Sequence, residues 1–225
     1  MMAVLLEAKN LVRTLDGEIK VTLVKDATLD ITGGEFTAIT GPSGSGKSSL
    51  LYLLGLLDKP TSGSIHVEGV ETTTLDENDL AAFRLEKLGF IFQFHFLLPE
   101  FTALENVMMP MRRLGKRSIV EQKEWGMELL ESVGLKEQAH KLPKQMSGGQ
   151  NQRTAIARAL ANNPALIMAD EPTGNLDTHA AATVQQILKD IAHTAGRAVV
   201  AVTHDESFAQ QADRRVHIVD GRIER

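Results

Sequence analysis

The 225-residue sequence contains no cysteine. That absence excludes a disulfide framework, a thiol nucleophile and any cysteine-ligated zinc or iron–sulfur centre, and it fits a reducing compartment. No apolar run approaches the ~20 residues that a membrane-crossing helix needs; the longest stretch, Leu50 to Leu57, is interrupted by Gly55. The opening residues, Met1 to Leu6, carry no basic side chain and run into Glu7, so no secretory leader is expected. Positive charge is not in excess either. The 24 Lys and Arg face 29 Asp and Glu, a net charge of −5, which argues against a protein that grips nucleic acid by broad electrostatics. Seven histidines are scattered with no pair spaced H-x-x-x-H, so a histidine-ligated metal is not expected. Aromatic residues make up only 4 %, with one Tyr, Tyr52, and one Trp, Trp125. What remains is 43 % hydrophobic and 24 % charged, an ordinary globular composition that predicts a soluble cytoplasmic chain of one elaborated domain.

Alternating apolar residues over Leu5–Leu11 and Lys20–Ile31 predict half-exposed antiparallel strands. Phe36–Thr40 reads as a short apolar strand that enters a Gly-rich loop and a helix over Lys47–Leu56. From about Leu80 to Asn162 the texture is mostly helical, with helices near Ala103–Leu114, Val120–Val133 and Gly148–Asn162. Strand and helix then alternate again: a buried strand over Ala165–Ala169, a helix over Ala180–His193, and a strand over Ala198–Thr203. Val216–Val219 and Ile223 flank an Asp220-Gly221 turn, a hairpin signal. The pattern predicts an α/β fold: a P-loop core with a mostly parallel sheet, an N-terminal antiparallel β subdomain and an inserted α-helical subdomain.

Gly41-Pro42-Ser43-Gly44-Ser45-Gly46-Lys47-Ser48 matches G-x-x-x-x-G-K-[ST] between that strand and helix, and Ser49 continues the run. At average residue frequencies such a match arises by chance in roughly one chain of this length in a hundred. Polyphosphate oxygens need many N–H donors at close range, which glycines and a helix N-terminus provide. Lys47 can neutralise β- and γ-phosphate charge, and the Ser48 hydroxyl can ligate Mg²⁺. Leu166-Ile167-Met168-Ala169 is an apolar strand ending in Asp170-Glu171. Successive side chains of a strand point to opposite sides, so the two acids take different tasks. Asp170 would approach Mg²⁺, directly or through water, while Glu171 would polarise an attacking water as general base. Ser147-Gly148-Gly149-Gln150, after Met146, opens a helix and presents a hydroxyl and bare N–H groups, a second anion-receiving surface. Either one site uses both surfaces or two chains share them.

P-loop, Ser-Gly-Gly-Gln run and Asp-Glu strand in this order resemble the ATPase subunits of ABC transporters, over essentially the whole chain. The resemblance implies a single ABC ATPase domain, with residues 1–90 and 163–225 as the nucleotide-binding core and about 91–162 as the Q-loop and helical signature part. Gln93 matches the Q-loop glutamine, Asn175-Leu176-Asp177 the D-loop, and His204 the switch histidine. It further implies ATP and Mg²⁺ as ligands and a head-to-tail homodimer. Each ATP then lies between Lys47 of one chain and Ser147 and Gly149 of the other. In that arrangement Gln93 reaches Mg²⁺ and the water, His204 holds the γ-phosphate, and Asp177 links the two sites.

The run Phe94 to Met109 is similar to the lipoprotein-releasing branch of the macrolide-exporter-type ATPases. The resemblance implies integral-membrane permease subunits as partners, no nucleic acid, and a peripheral place on the cytoplasmic face of the inner (cell) membrane. Four Phe within Phe90–Phe96 suit docking of that partner or ordinary core packing. Drug, peptide or haem export by the same type of complex is the neighbouring reading, and a soluble non-transport ATPase of the family a more distant one. Three positions depart from the family pattern. Leu15 stands where an aromatic usually stacks on adenine, Met146 replaces a leucine, and Asn151 is atypical.

Overall fold

Alternating burial builds two long strands, β1 (Val4–Leu15) and β2 (Val21–Thr32). Leu6, Ala8 and Leu11 face inward from the first, and Val24, Ala27, Leu29 and Ile31 from the second. They pair antiparallel, as the period of two predicts. The computed structural model describes residues 3–17 and 20–224. β3 (Phe36–Thr40) leads to α1 (Lys47–Leu54), which stops short of the expected Leu56 because that residue takes a left-handed φ of 59°. The next elements left little mark on the sequence. In β4 (Ser62–Val67) only Ile65 and Val67 are buried, β5 (Val70–Glu71) is a two-residue edge, and α2 (Glu77–Lys87) buries Leu80 alone. Inside the stretch expected to be helical, β6 (Leu88–Phe92) is a strand. A short apolar run buried on both faces has no periodicity to separate it from a helix segment.

The inserted helices α3 (Ala103–Leu114), α4 (Ile119–Ser132) and α5 (Gly148–Ala159) share one starting device. Thr102 with Glu105, Ser118 with Glu121, and Ser147 with Gln150 form reciprocal capping boxes, each satisfying two otherwise unpaired N–H groups. β7 (Leu166–Asp170), α6 (Thr178–His193), β8 (Ala198–Val202), α7 (Glu206–Ala209), β9 (Arg214–Val219) and β10 (Arg222–Ile223) complete the chain. Asp220 and Gly221 turn β9 into β10 with φ of 48° and 80°, the primed hairpin geometry.

The strands form an antiparallel sheet in the order β2-β1-β4-β5 and a six-stranded sheet in the order β10-β9-β3-β8-β7-β6. The larger sheet is parallel except for β10. Its inner strands β3, β8 and β7 are almost wholly apolar because both faces are covered, whereas β9 alternates buried and exposed residues. Ile167, Ala169, Val199 and Ala201 join the core beneath α3 to α6, whereas Leu166, Met168, Val200 and Val202 join the core shared with α1 and the antiparallel sheet. The expected α/β architecture is therefore present. No helix among the described residues is long and apolar enough to cross a membrane.

Register places the functional residues. Phe92 pairs with Asp170, Asp170 with Val202, Val202 with Ile39, and Ile39 with Val216. One level row thus crosses five parallel strands. The residues that follow this row in β6, β7, β8 and β3, namely Gln93, Glu171, Thr203-His204 and Thr40-Gly41, emerge together at the carboxyl edge, where open α/β sheets bind ligands.

Candidate active site

The loop 41–46 enters α1 through Gly46, whose φ of 99° is open only to glycine; a Cβ there would lie 2.4 Å from the Leu23 carbonyl oxygen. No side chain caps the start of α1, whereas α2 to α7 each begin with a side-chain cap among the described residues. Its first-turn N–H groups therefore point at the loop unshielded, and no acidic side chain occupies the first turn. Lys47 is 9 % exposed, and its Nζ donates to the carbonyls of Gly41 (2.9 Å) and Pro42 (2.8 Å). The Ser45 hydroxyl is buried with no partner among the described residues. An orphaned buried donor beside uncapped N–H groups and a held ammonium is the donor set a polyphosphate satisfies.

Facing this loop, Asp170 takes both of its carboxylate oxygens to α1. Ser48 donates to Oδ1 at 3.1 Å and Tyr52 to Oδ2 at 2.8 Å. Tyr52 was not expected at this site. In sequence it is simply the sixth residue of an apolar helix, and its partner lies 118 positions away. Burial first, and then the carboxylate it faces, push its phenol up to about 12. Glu171, next along the chain, has a φ of 49°, an uncommon left-handed conformation for a non-glycine residue that clusters at functional sites. Its N–H donates to the Val202 carbonyl at 3.0 Å, and its Oε2 meets His204 Nδ1 at 2.5 Å. His204 is otherwise open, with 69 % of its side chain exposed. Gln93 packs on Gly174, and its amide meets Asn175 Oδ1 at 3.4 Å. Lys47, Ser48, Asp170, Glu171, His204 and Gln93 thus gather at one sheet edge. Leu15, the candidate base-stacking position, is exposed where β1 pairs with Val21.

The Ser147-Gln150 run lies beside Gln93, since Gly148 and Gln93 line one cavity of about 410 Å³. The Ser147 hydroxyl accepts the Gln150 N–H, and the Ser147 N–H donates to Gln150 Oε1 at 2.9 Å. A Cβ on Gly149 would sit 2.8 Å from the Ala180 Cβ of α6, next to Asp177, which caps that helix through the Ala180 N–H. Gly149 therefore has a packing duty as well. Gly149→Ala is expected to cost about 1–3 kcal/mol by overpacking. Thermal unfolding without nucleotide checks it; an unchanged midpoint would show that α6 yields. Asn151, the atypical residue, is buried and donates to the Pro143 carbonyl at 3.1 Å, tying α5 to the turn before it.

The four Phe divide into two roles. Phe90 and Phe92 are half-buried and stack with centroids 6.0 Å apart. Phe94 and Phe96 are more than 60 % exposed. Arg158, on α5, holds their loop in place, donating to the Phe96 carbonyl at 2.6 Å and the His95 carbonyl at 2.7 Å. Burial lowers the affinity of that guanidinium for its proton, and no carboxylate among the described residues pairs with it. Each charged hydrogen bond of this kind contributes about 1.5–3 kcal/mol. An open groove of about 670 Å³ adjoins the loop, bounded by Arg84 and Leu85 of α2, Phe90 and Phe92 of β6, Pro110 of α3, and Arg158.

The sequence profile described as ABC transporter matches residues 24–174. Among curated relatives, the lipoprotein-releasing system ATP-binding protein LolD 1 of Chlorobium chlorochromatii (strain CaD3) is 53 % identical over 209 residues, covering 93 % of this chain and 85 % of the relative. LolD of Aquifex aeolicus (strain VF5) is 46 % identical over 222 residues, covering 99 % and 97 %. Among solved structures, the dimeric form of MJ0796, a bacterial ABC transporter cassette, superposes with a TM-score of 0.89 at 43 % identity, covering 98 % of this chain and 97 % of that one. The same cassette in a post-hydrolysis state bound to ADP and Pi gives a TM-score of 0.89 at 42 % identity.

Proposed function

The chain is an ATP-hydrolysing subunit of the ABC transporter family, and on that premise we propose that it powers a separate integral-membrane permease engaged in lipoprotein release. The observation that carries the docking half is the groove of about 670 Å³ lined by Phe90, Phe92 and Arg158, followed in the chain by the exposed Phe94 and Phe96. An open groove with exposed apolar side chains on the adjoining loop suits a helix of a membrane partner. The cargo follows the relatives, which are named for lipoprotein release. The working place of the chain is then the cytoplasmic face of the cell membrane.

Loop 41–46 and the N-terminus of α1 bind the β- and γ-phosphates, with Lys47 leaving the carbonyls of Gly41 and Pro42 to meet them. Ser48 and Asp170 supply two hard oxygen donors, a set that fits Mg²⁺ completed by phosphate oxygens and water. When bound, that ion neutralises charge on the phosphates. Gln93 adds an amide oxygen at the same edge. Glu171 accepts a proton from the water that attacks the γ-phosphorus, the bond to the β–γ bridging oxygen breaks, and ADP and phosphate result. His204 orients on the γ-phosphate beside Glu171. Ser147, Gly148, Gly149 and Gln150 serve the ATP of a second chain packed head to tail, and Asp177 joins the two sites. Residues 1–90 and 163–225 act as the nucleotide-binding core, and about 91–162 as the signature part that follows the partner.

Co-purification from a membrane extract, followed by reconstitution with the identified permease, tests this reading. ATP-dependent release of a lipoprotein from proteoliposomes is the expected result. A partner that moves drugs, peptides or haem would remove the cargo assignment, and recovery with DNA or ribosomes would remove the transport assignment. Arg158→Met, which keeps the stem but loses both donors to the docking loop, is expected to lower permease affinity at least about tenfold. ATP affinity of the isolated chain should stay within about twofold; pull-down and nucleotide titration read the two separately.

A further inference from the structure

We propose that Tyr52 is a positioning residue for the metal-binding carboxylate: its phenol fixes Asp170 so that one oxygen alone is offered to the ion that accompanies ATP. The inference rests on the reading of Asp170 as the metal-side carboxylate. Both oxygens of Asp170 are taken by hydroxyls of α1, Oδ1 by Ser48 at 3.1 Å and Oδ2 by Tyr52 at 2.8 Å. The two donors stand four residues apart, on one face of the helix, so together they set the carboxylate plane. Tyr52 is itself anchored. Its ring packs against the core shared by α1 and the antiparallel sheet. Its carbonyl accepts the N–H groups of Leu57 (2.8 Å) and Asp58 (3.2 Å) where α1 ends.

The contrast between the two hydroxyls defines the role. Ser48 is the side chain of the phosphate loop that can turn to an arriving cation, which frees Oδ1 to face the same ion. Tyr52 lies one turn deeper, is held by packing, and has no such alternative. It therefore keeps Oδ2 occupied while Oδ1 works. Partners of this kind orient a ligating carboxylate, and their loss typically weakens metal binding by about 10- to 100-fold. A phenylalanine at 52 would fill the same volume without the donor, separating orientation from packing.

The test uses the full chain, a non-hydrolysable ATP analogue, and titration with and without Mg²⁺. In the wild type, Mg²⁺ is expected to tighten binding, and Asp170→Asn to abolish that gain. Tyr52→Phe is expected to reduce the gain by about tenfold or more, with metal-free affinity unchanged and the thermal midpoint only modestly lowered by the loss of one hydrogen bond. Direct Mn²⁺ titration of the analogue-bound chain should show the same weakening. If Tyr52→Phe keeps the full gain while Asp170→Asn loses it, the tyrosine merely packs and the inference is overturned. Equal weakening with and without metal would overturn it too, as the mark of a structural role. If Asp170→Asn also keeps the gain, the assignment of Asp170 fails first.

Discussion

Glu171→Gln is expected to lower ATP turnover by at least about 10²-fold while ATP binding survives. The substitution replaces one carboxylate oxygen by an NH2 group and changes little else. Its neighbours do not depend on the charge for their fold: the Glu171 N–H is fixed to the Val202 carbonyl and its own carbonyl to the Gly174 N–H. Its left-handed φ of 49° is a property of the backbone that Gln can share. What disappears is the ability to accept a proton from water at the carboxyl edge. With nucleotide bound and cleavage stopped, two chains that share ATP should remain closed on each other. Turnover is read by phosphate release, and closure by size-exclusion chromatography with ATP, where the dimer is expected for the variant and not for the wild type after hydrolysis. Near wild-type hydrolysis would show that another group takes the proton, and His204, whose Nδ1 lies 2.5 Å from Glu171 Oε2, is the neighbouring titratable group.

Much of this site could be read from the sequence because its signals are local. The P-loop needs its glycines, lysine and serine within eight positions, and an apolar strand that ends in two acids is visible as it stands. The capping boxes are equally short-range, which is why the starts of α3 and α5 match their expected residues. The hidden parts depend on tertiary contacts. Tyr52 joins Asp170 across 118 positions, and nothing in Leu51-Tyr52-Leu53 distinguishes it from a core residue. Arg158 reads as an ordinary helix cation until its two carbonyl partners on the Phe94–Phe96 loop are seen. The missed elements follow the same rule. α2 buries one side chain and so carries almost no apolar period, and β6 is apolar on both faces and so carries none.

The same distinction explains why the Ser147 run says more as a sequence than as a single chain. Within the chain, its hydroxyl and Gln150 satisfy each other, and Gly149 accommodates α6. Those contacts alone would describe a well-capped helix. The chemistry proposed for it would need a second chain; the MJ0796 cassette, similar in fold, has a dimeric structure.

Lys47→Ala should weaken ATP binding by about 10- to 100-fold, the loss of one charge-assisted contact to phosphate. Here the structure supplies two opposing effects. The ammonium is 9 % exposed and donates to the carbonyls of Gly41 and Pro42 at 2.9 and 2.8 Å, so it props the empty loop as well as waiting for phosphate. Its removal leaves those carbonyls without a donor, which destabilises the loop. It also removes the small cost of breaking the same bonds when ATP arrives. The first effect acts on stability and the second on affinity, but the missing attraction to two phosphates is larger than either. Nucleotide titration should therefore show the affinity loss with only a modest fall in thermal midpoint. A variant with unchanged ATP affinity would mean that the α1 N–H groups and the orphaned Ser45 hydroxyl hold the polyphosphate unaided, and the role given to Lys47 would be wrong.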